Sequence, residues 1–210
     1  MSGMLENLSQ KISSQVENTD KNVLMYGMVS LLGFIAAYSV LAVFSYLLNI
    51  FAYAMIAAVS ASVLRVFAGG SHATSQTRCV FIGTAVFLAL GKGAQYLSLS
   101  DWAWLYSIIP GALGLGGITI IYRYAYATTH NKALGEYSHG RKLRLAAVAL
   151  MAVWLAAVWV MVITVLLNSG ERVFIISSAL GVAWQLFSMT PAGYSVSNAA
   201  DVLLQRVGVR

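Results

Sequence analysis

Residues 145–167 read LAAVALMAVWLAAVWVMVITVLL, a run in which only Thr164 carries a polar group that is not aromatic. A helix of about 20 such residues is long enough to cross the ~30 Å hydrocarbon core of a membrane. Five further apolar segments have comparable lengths, at 23–44, 47–65, 80–99, 102–122 and 172–190. The sequence therefore predicts an all-α integral membrane protein with about six transmembrane helices.

The composition of the whole chain supports this class. Of its 210 residues, 59% are hydrophobic and 10% are charged, whereas about 25% are charged in an average soluble protein. A soluble domain of 22.5 kDa could not hide so much apolar surface, because small proteins need a largely polar exterior. The apolar content also argues against disorder, and a single cysteine excludes an internal disulfide framework.

The longest apolar stretch covers residues 23–65, where no charge occurs before Arg65. This stretch is too long for one span, so we expect a tight turn from Phe44 to Leu48. Strands are not expected, because transmembrane strands alternate in polarity over about 10 residues, whereas these segments are apolar on all sides.

Residues 1–22 are predicted to form a cytoplasmic amphipathic helix that lies along the membrane surface. Apolar residues recur there at spacings of three and four, at Leu5, Leu8, Ile12 and Val16, which places them on one helix face. A solvated tail is the alternative. A secretory signal is not expected, because the segment carries acidic residues and lacks a basic start followed by an apolar core.

The positions of Lys and Arg predict the orientation in the membrane. Of the 13 basic residues, 11 fall on the side of the N-terminus, Arg172 falls on the other side, and Lys92 lies inside a span. We therefore expect both termini and the connections at 65–79 and 123–144 to be cytoplasmic. The six spans form one domain at 23–195, and 196–210 form a cytoplasmic tail. The net charge of +6 then reflects topology, so nucleic acid is not needed to explain it.

Two features of the spans admit a structural and a functional interpretation. The glycine-rich run 111–117, which follows Pro110, favours close helix packing over a nucleotide-binding loop. Lys92 is an ionisable group inside a span, and its long side chain could reach the outer interface beside Asp101. If instead Lys92 and the glycine-rich span formed a pathway, the protein would be a small transporter or adaptor without covalent chemistry.

The connection at 65–79 gathers the residues best suited to covalent chemistry, including Cys79 and His72. A thiolate is a strong nucleophile, and a neighbouring imidazole is the usual base that generates it. Two arginines would favour the anionic sulfur, and a glycine pair and a serine precede the histidine. These supporting residues are Arg65, Arg78, Gly69, Gly70 and Ser71.

Helix geometry limits how His72 and Cys79 can meet. On a continuous helix they would lie about 10.5 Å apart along the axis, too far for the ~3 Å contact that proton transfer requires. The catalytic interpretation therefore needs a break, and the backbone can turn freely at Gly69-Gly70. We expect a short re-entrant or looped segment at 65–79 that folds His72 back towards Cys79. Otherwise, Cys79 is a small buried residue at a helix start and His72 a surface residue.

Three parts of the chain resemble the accessory gene regulator B family of bacterial membrane proteins. The first part consists of Arg65, Gly69-Gly70, His72-Ala73 and Cys79, with six residues between the histidine and the cysteine. The second is the loop at 124–134 with the basic residues that follow it. The third is 185–193, at the last span. The resemblance covers roughly residues 25–195.

This resemblance implies a cysteine endopeptidase that processes the precursor of a cyclic quorum-sensing peptide. His72 would take the proton of Cys79, and the thiolate would release the C-terminal part of the precursor and keep the rest as an acyl-thioester. The precursor's own cysteine would then close a thiolactone ring. A propeptide substrate, membrane lipids and a second copy of the chain are the implied partners, and neither a cofactor nor a metal is expected.

The basic loop at 123–144 has two interpretations. Its charges determine topology, or Lys132, Arg141 and Lys142 also hold the acidic tail that the resemblance implies for the precursor. The group that orients His72 stays open among Glu136, Asp201, Asn131, Asn198 and Gln185. Oxyanion donors could be backbone N–H groups between Gly70 and His72 or near Cys79.

Overall fold

The computed structural model describes residues 21–71, 73–99, 103–125, 137–167 and 172–209, and all the regular structure in these ranges is helical. The predicted amphipathic helix at 1–22 lies almost entirely outside the described residues. The helices are α1 (Lys21–Leu47), α2 (Phe51–Ala68), α3 (Gln76–Ser98), α4 (Ala103–Tyr124), α5 (Tyr137–Leu167), α6 (Arg172–Ser188) and α7 (Pro191–Arg206).

A helix lies at each of the six predicted spans, which confirms the all-α membrane class. Within the described residues, four of them are long and apolar enough to cross a membrane: Gly27–Leu47 of α1, α2, α3 and Gly140–Ile163 of α5. A fifth span is added if α6 and α7, which meet at an 89° bend, are counted together. The count of six spans stays a prediction.

The turns show where the predicted bounds need correction. Helix α1 continues through Leu47, so the turn begins at Leu48, four residues after the predicted start at Phe44. Asn49, with a φ of 54°, provides the reversal before α2. Helix α6 ends at Ser188, and the chain bends because the Thr190 hydroxyl accepts a hydrogen bond from the Gly193 amide (3.2 Å) and so begins a new helix. Helix α7 therefore runs through the boundary predicted at 195/196.

Helices α2 and α6 form the centre of the fold. A stripe of small residues on α2 is buried, including Ala54, Ala57, Ala58 and Ala61, and most of α6 is buried as well. A Cβ at Gly181 would stand 2.1 Å from the carbonyl oxygen of Ala57. The two backbones are thus in direct contact, as small residues permit between membrane helices.

The other spans pack around this pair. In the glycine-rich run of α4, Gly114 lies against Leu155 of α5, and Gly117 against Met151 and Leu186, as the helix-packing interpretation predicts. Lys92 Nζ donates a hydrogen bond to Gln95 Oε1 (2.7 Å) on the exposed surface of α3. Asp101, its expected partner, lies outside the described residues.

Replacing Gly181 with alanine tests the close contact between α2 and α6. The added methyl group overlaps backbone atoms of Ala57, so the helices must separate, at an expected cost of about 1–3 kcal/mol. Thermal unfolding in detergent should therefore occur at a lower temperature than for the wild type. Gly116→Ala is the matched control, because a Cβ there meets nothing within 4 Å. Equal midpoints for the two variants would contradict this packing.

Candidate active site

The connection between α2 and α3, called the irregular segment below, has no helical structure at its described residues 69–71 and 73–75. The Gly69 amide still donates to the Arg65 carbonyl (2.9 Å), after which Gly69 and Gly70 take positive φ values of 76° and 151°. The break is thus at the predicted glycine pair. The looped part is shorter than the predicted 65–79, however, because Arg65 lies in the last turn of α2 and Cys79 in the first turn of α3. His72 lies outside the described residues.

The start of this segment is docked on α6 through its main chain. Gln185 Nε2 donates to the Gly69 carbonyl (2.6 Å), and the Ser71 amide donates to the Ser188 carbonyl (3.2 Å). The Arg65 guanidinium donates to the Ser71 carbonyl. Gln185 and Ser188 are fully buried, so these three backbone groups of Gly69 and Ser71 have hydrogen-bond partners inside the protein, as buried backbone requires.

A cavity of about 170 Å³ opens beside Cys79. Its polar side groups are those of Ser62, Arg65, Ser71, Thr84, Gln185, Ser188 and Ser197, and its apolar walls include Phe34, Tyr38, Leu41, Phe87 and Trp184. Cys79 is a free, half-buried cysteine. The Arg65 guanidinium is near enough to interact electrostatically with the Cys79 side chain.

Arg78 does not share this cavity. Its Nε lies 2.8 Å from Asp201 Oδ1, and its Nη2 donates to the Thr74 hydroxyl (2.5 Å). The sequence-based interpretation assigned the charge of Arg78 to the sulfur of Cys79. In the structure that charge is paired with a carboxylate of α7, so among the described residues Arg65 is the cation that lines the cysteine cavity.

Asp201 binds the irregular segment as well as Arg78. Its Oδ2 accepts hydrogen bonds from the Thr74 hydroxyl (2.7 Å) and the Thr74 amide (3.3 Å). The Thr74 hydroxyl, followed by the Thr74 amide and the Arg78 guanidinium, holds the pKa of Asp201 below its usual range, although burial opposes this effect. The carboxylate is therefore ionised at neutral pH and links three parts of the chain.

The other candidates to orient His72 are Gln185, Asn198, Asn131 and Glu136, and their positions differ. Gln185, like Asp201, is already bonded to the irregular segment itself. Asn198 is exposed on α7, and Asn131 and Glu136 lie outside the described residues.

The described residues of the basic loop, Arg141 and Lys142, are not brought to the cysteine cavity. Lys132 lies outside the described residues, and Arg141 and Lys142 are exposed in the first turns of α5. Neither Arg141 nor Lys142 lines the cavity. Any contact of these two residues with a substrate would therefore involve a part of it remote from Cys79.

Sequence reasoning missed several polar residues around the cavity. Ser188 and Ser197 were not considered, and neither was the hydrogen bond from the Tyr38 hydroxyl to Ser62 Oγ (2.9 Å). Gln185 was considered only as a partner of His72. The available signal was a glutamine and serines inside segments that are otherwise apolar. Among the described residues, no group of His, Cys, Asp and Glu could hold a metal ion.

Comparison with known proteins gives consistent matches. The model of the family described as "AgrB: Accessory gene regulator B" matches residues 5–189, a range that ends just before α7. An AgrB-like protein of Clostridium perfringens strain SM101 is 24% identical over 208 residues, covering 94% of this chain and 97% of the relative. An AgrB-like protein 2 of strain 13 is 25% identical over 210 residues, with the same coverage. No solved structure matches the chain.

The lowered pKa of Asp201 makes its stabilising effect depend on pH. A depressed folded-state pKa contributes stability above the ordinary value of 3.8, and this contribution is lost as the pH falls through the folded-state pKa. Asp201→Asn should therefore lower the thermal midpoint in detergent at neutral pH, and its difference from the wild type should shrink in acid below about pH 4. A difference that stays constant with pH would contradict the ion pair.

Proposed function

Because the chain belongs to the accessory gene regulator B family, and so to the agr quorum-sensing system, we propose that it is a membrane cysteine endopeptidase that processes a quorum-sensing propeptide. One observation carries this proposal. Ser71 and Ala73, the residues on either side of position 72, both line the cavity that contains Cys79. A break in the chain thus brings the two neighbours of His72 to the only cysteine, as a histidine–cysteine pair requires.

The proposed reaction has two acyl-transfer steps. His72 takes the proton of the Cys79 thiol, and the thiolate attacks a peptide carbonyl of the propeptide. The peptide bond breaks, the C-terminal part leaves as an amine with the proton from His72, and an acyl-thioester forms on Cys79. A cysteine thiolate of the propeptide then attacks this thioester, which releases a thiolactone ring and the free Cys79. The second step exchanges one thioester for another, so the energy of the acyl bond is largely kept.

The cavity suits this chemistry because it is small and has mostly apolar walls. Water that reached the thioester would hydrolyse it, and a site that excludes water favours ring closure. Arg65 supplies the positive charge that stabilises the thiolate before attack. We further propose that the termini and the active site face the cytoplasm, that 1–22 lie on the lipid surface, and that two copies of the chain associate.

Substitution of the reactive pair tests the proposed function. Cys79→Ser and Cys79→Ala should abolish cleavage of the co-expressed propeptide, because no other cysteine is present to form the thioester. His72→Ala should lower the rate by about 10²–10⁴-fold, the usual effect of losing a general base. Propeptide and product are measured by mass spectrometry of membranes with matched protein levels. Processing by the Cys79 variants would contradict the peptidase and favour the transporter or adaptor alternative.

Charge reversal in the basic loop tests substrate docking. With Lys132, Arg141 and Lys142 all changed to Glu, the KM for a propeptide with an acidic tail should rise about tenfold, the equivalent of about 1.4 kcal/mol of binding, with kcat retained. Added salt should reduce the difference, because exposed charges are screened. Arg206→Glu, an exposed arginine of α7, is the matched control. Unchanged kinetics would mean that the loop charges serve topology alone.

A further inference from the structure

Helix α7 holds the irregular segment at two positions, one on each side of residue 72. Ser197 Oγ lies 2.7 Å from Ser71 Oγ, and Asp201 accepts both hydrogen bonds from Thr74. Ser197 and Asp201 are four residues apart, so both lie on one face of α7. One face of α7 therefore contacts the segment on both sides of residue 72.

The same carboxylate also holds the helix that carries Cys79. Asp201 uses Oδ2 for Thr74 and Oδ1 for Arg78, the residue immediately before the cysteine. The Arg78 guanidinium completes a triangle by donating to the Thr74 hydroxyl. One carboxylate thus contacts both the segment after His72 and the first turn of α3.

The two charged members of this triangle are buried. Asp201 is 3% exposed and Arg78 is 8% exposed, although α7 presents Val202 and Leu203 to its surroundings. A desolvated charge pair is favourable only when its geometry is good, and removing one partner leaves an uncompensated buried charge. Loss of either partner should therefore weaken the link between the segment and α3.

We propose that Asp201 is a positioning residue of the active site, which fixes the His72 segment against the first turn of α3 so that the imidazole reaches the Cys79 thiol. This inference rests on the proposed function of His72 and Cys79. Proton transfer needs a heavy-atom contact of about 3 Å, and a misplacement of about 1 Å can cost roughly 10²-fold in rate. Asp201 touches neither the substrate nor the reacting atoms.

Kinetics with Asp201→Asn provide the first test. The amide keeps an oxygen that can accept from Thr74 but loses the charge opposite Arg78. We expect kcat to fall by about 10–100-fold, with the KM for the propeptide nearly unchanged. Ser195→Ala is the matched control, because this serine is exposed on α7 and, among the described residues, its hydroxyl donates to the Pro191 carbonyl of the same helix (3.0 Å). Wild-type kcat for Asp201→Asn would overturn the inference.

Alkylation of the single cysteine separates positioning from general stability and needs no propeptide. A thiolate paired with an imidazolium reacts with iodoacetamide at a pH where a free thiol is slow. In His72→Ala the rate should therefore fall at low pH, so that its pH profile, measured between about pH 5 and pH 9, shifts to higher pH. The profile of Asp201→Asn should shift in the same direction, and that of Ser195→Ala should match the wild type. A wild-type profile for folded Asp201→Asn would show a merely structural tether and overturn the inference.

Two further variants cover the case in which Asp201→Asn does not fold. Ser197→Ala removes only the Ser71 contact and should shift the alkylation profile in the same direction. Arg78→Asp combined with Asp201→Arg restores an ion pair and should regain at least part of the activity lost in each single variant. If neither shift nor rescue occurs, Asp201 does not position the pair. Processing by Cys79→Ser would instead refute the proposed function itself, so the two failures are distinguishable.

Discussion

A polar backbone that runs through an apolar protein must find internal hydrogen-bond partners, and the rest of the site depends on how this chain meets that requirement. The Gly69 carbonyl and the Ser71 amide and carbonyl are satisfied by α6 and by Arg65. Each buried group left without a partner would cost about 1–3 kcal/mol. This explains why a fully buried glutamine, Gln185, lies in a mostly apolar helix.

The sequence could predict features that depend on local chemistry. Apolar runs of membrane-spanning length give helices because lipid offers the backbone no hydrogen bonds, and a break between His72 and Cys79 was foreseeable from helix rise alone. The glycine pair marked its place, because glycine has no Cβ and so takes positive φ as readily as negative φ. The end of α2 was harder to predict, because no residue near Arg65 indicates that the helix continues to Ala68.

Contacts between distant parts of the chain could not be predicted. Arg78 is next to Cys79 in sequence, so proximity suggested that it would serve the sulfur, yet its partner is Asp201 at the other end of the chain. Helix α7 itself had a local signal that was overlooked. Thr190 followed by Pro191 is a typical helix start, and this start converts the expected tail into a helix that packs on the site.

Because the Gly69 carbonyl and both backbone polar groups of Ser71 provide the contacts to α6 and Arg65, these contacts do not depend on which side chain stands at each position. A substitution at Ser71 would therefore keep these two backbone contacts, although it would lose the side-chain contact with Ser197. Gln185 is constrained in a different way, because no apolar side chain could replace the amide that binds the Gly69 carbonyl. Inherited constraint on the conformation of this segment thus extends to a helix that is more than 100 residues away in the sequence.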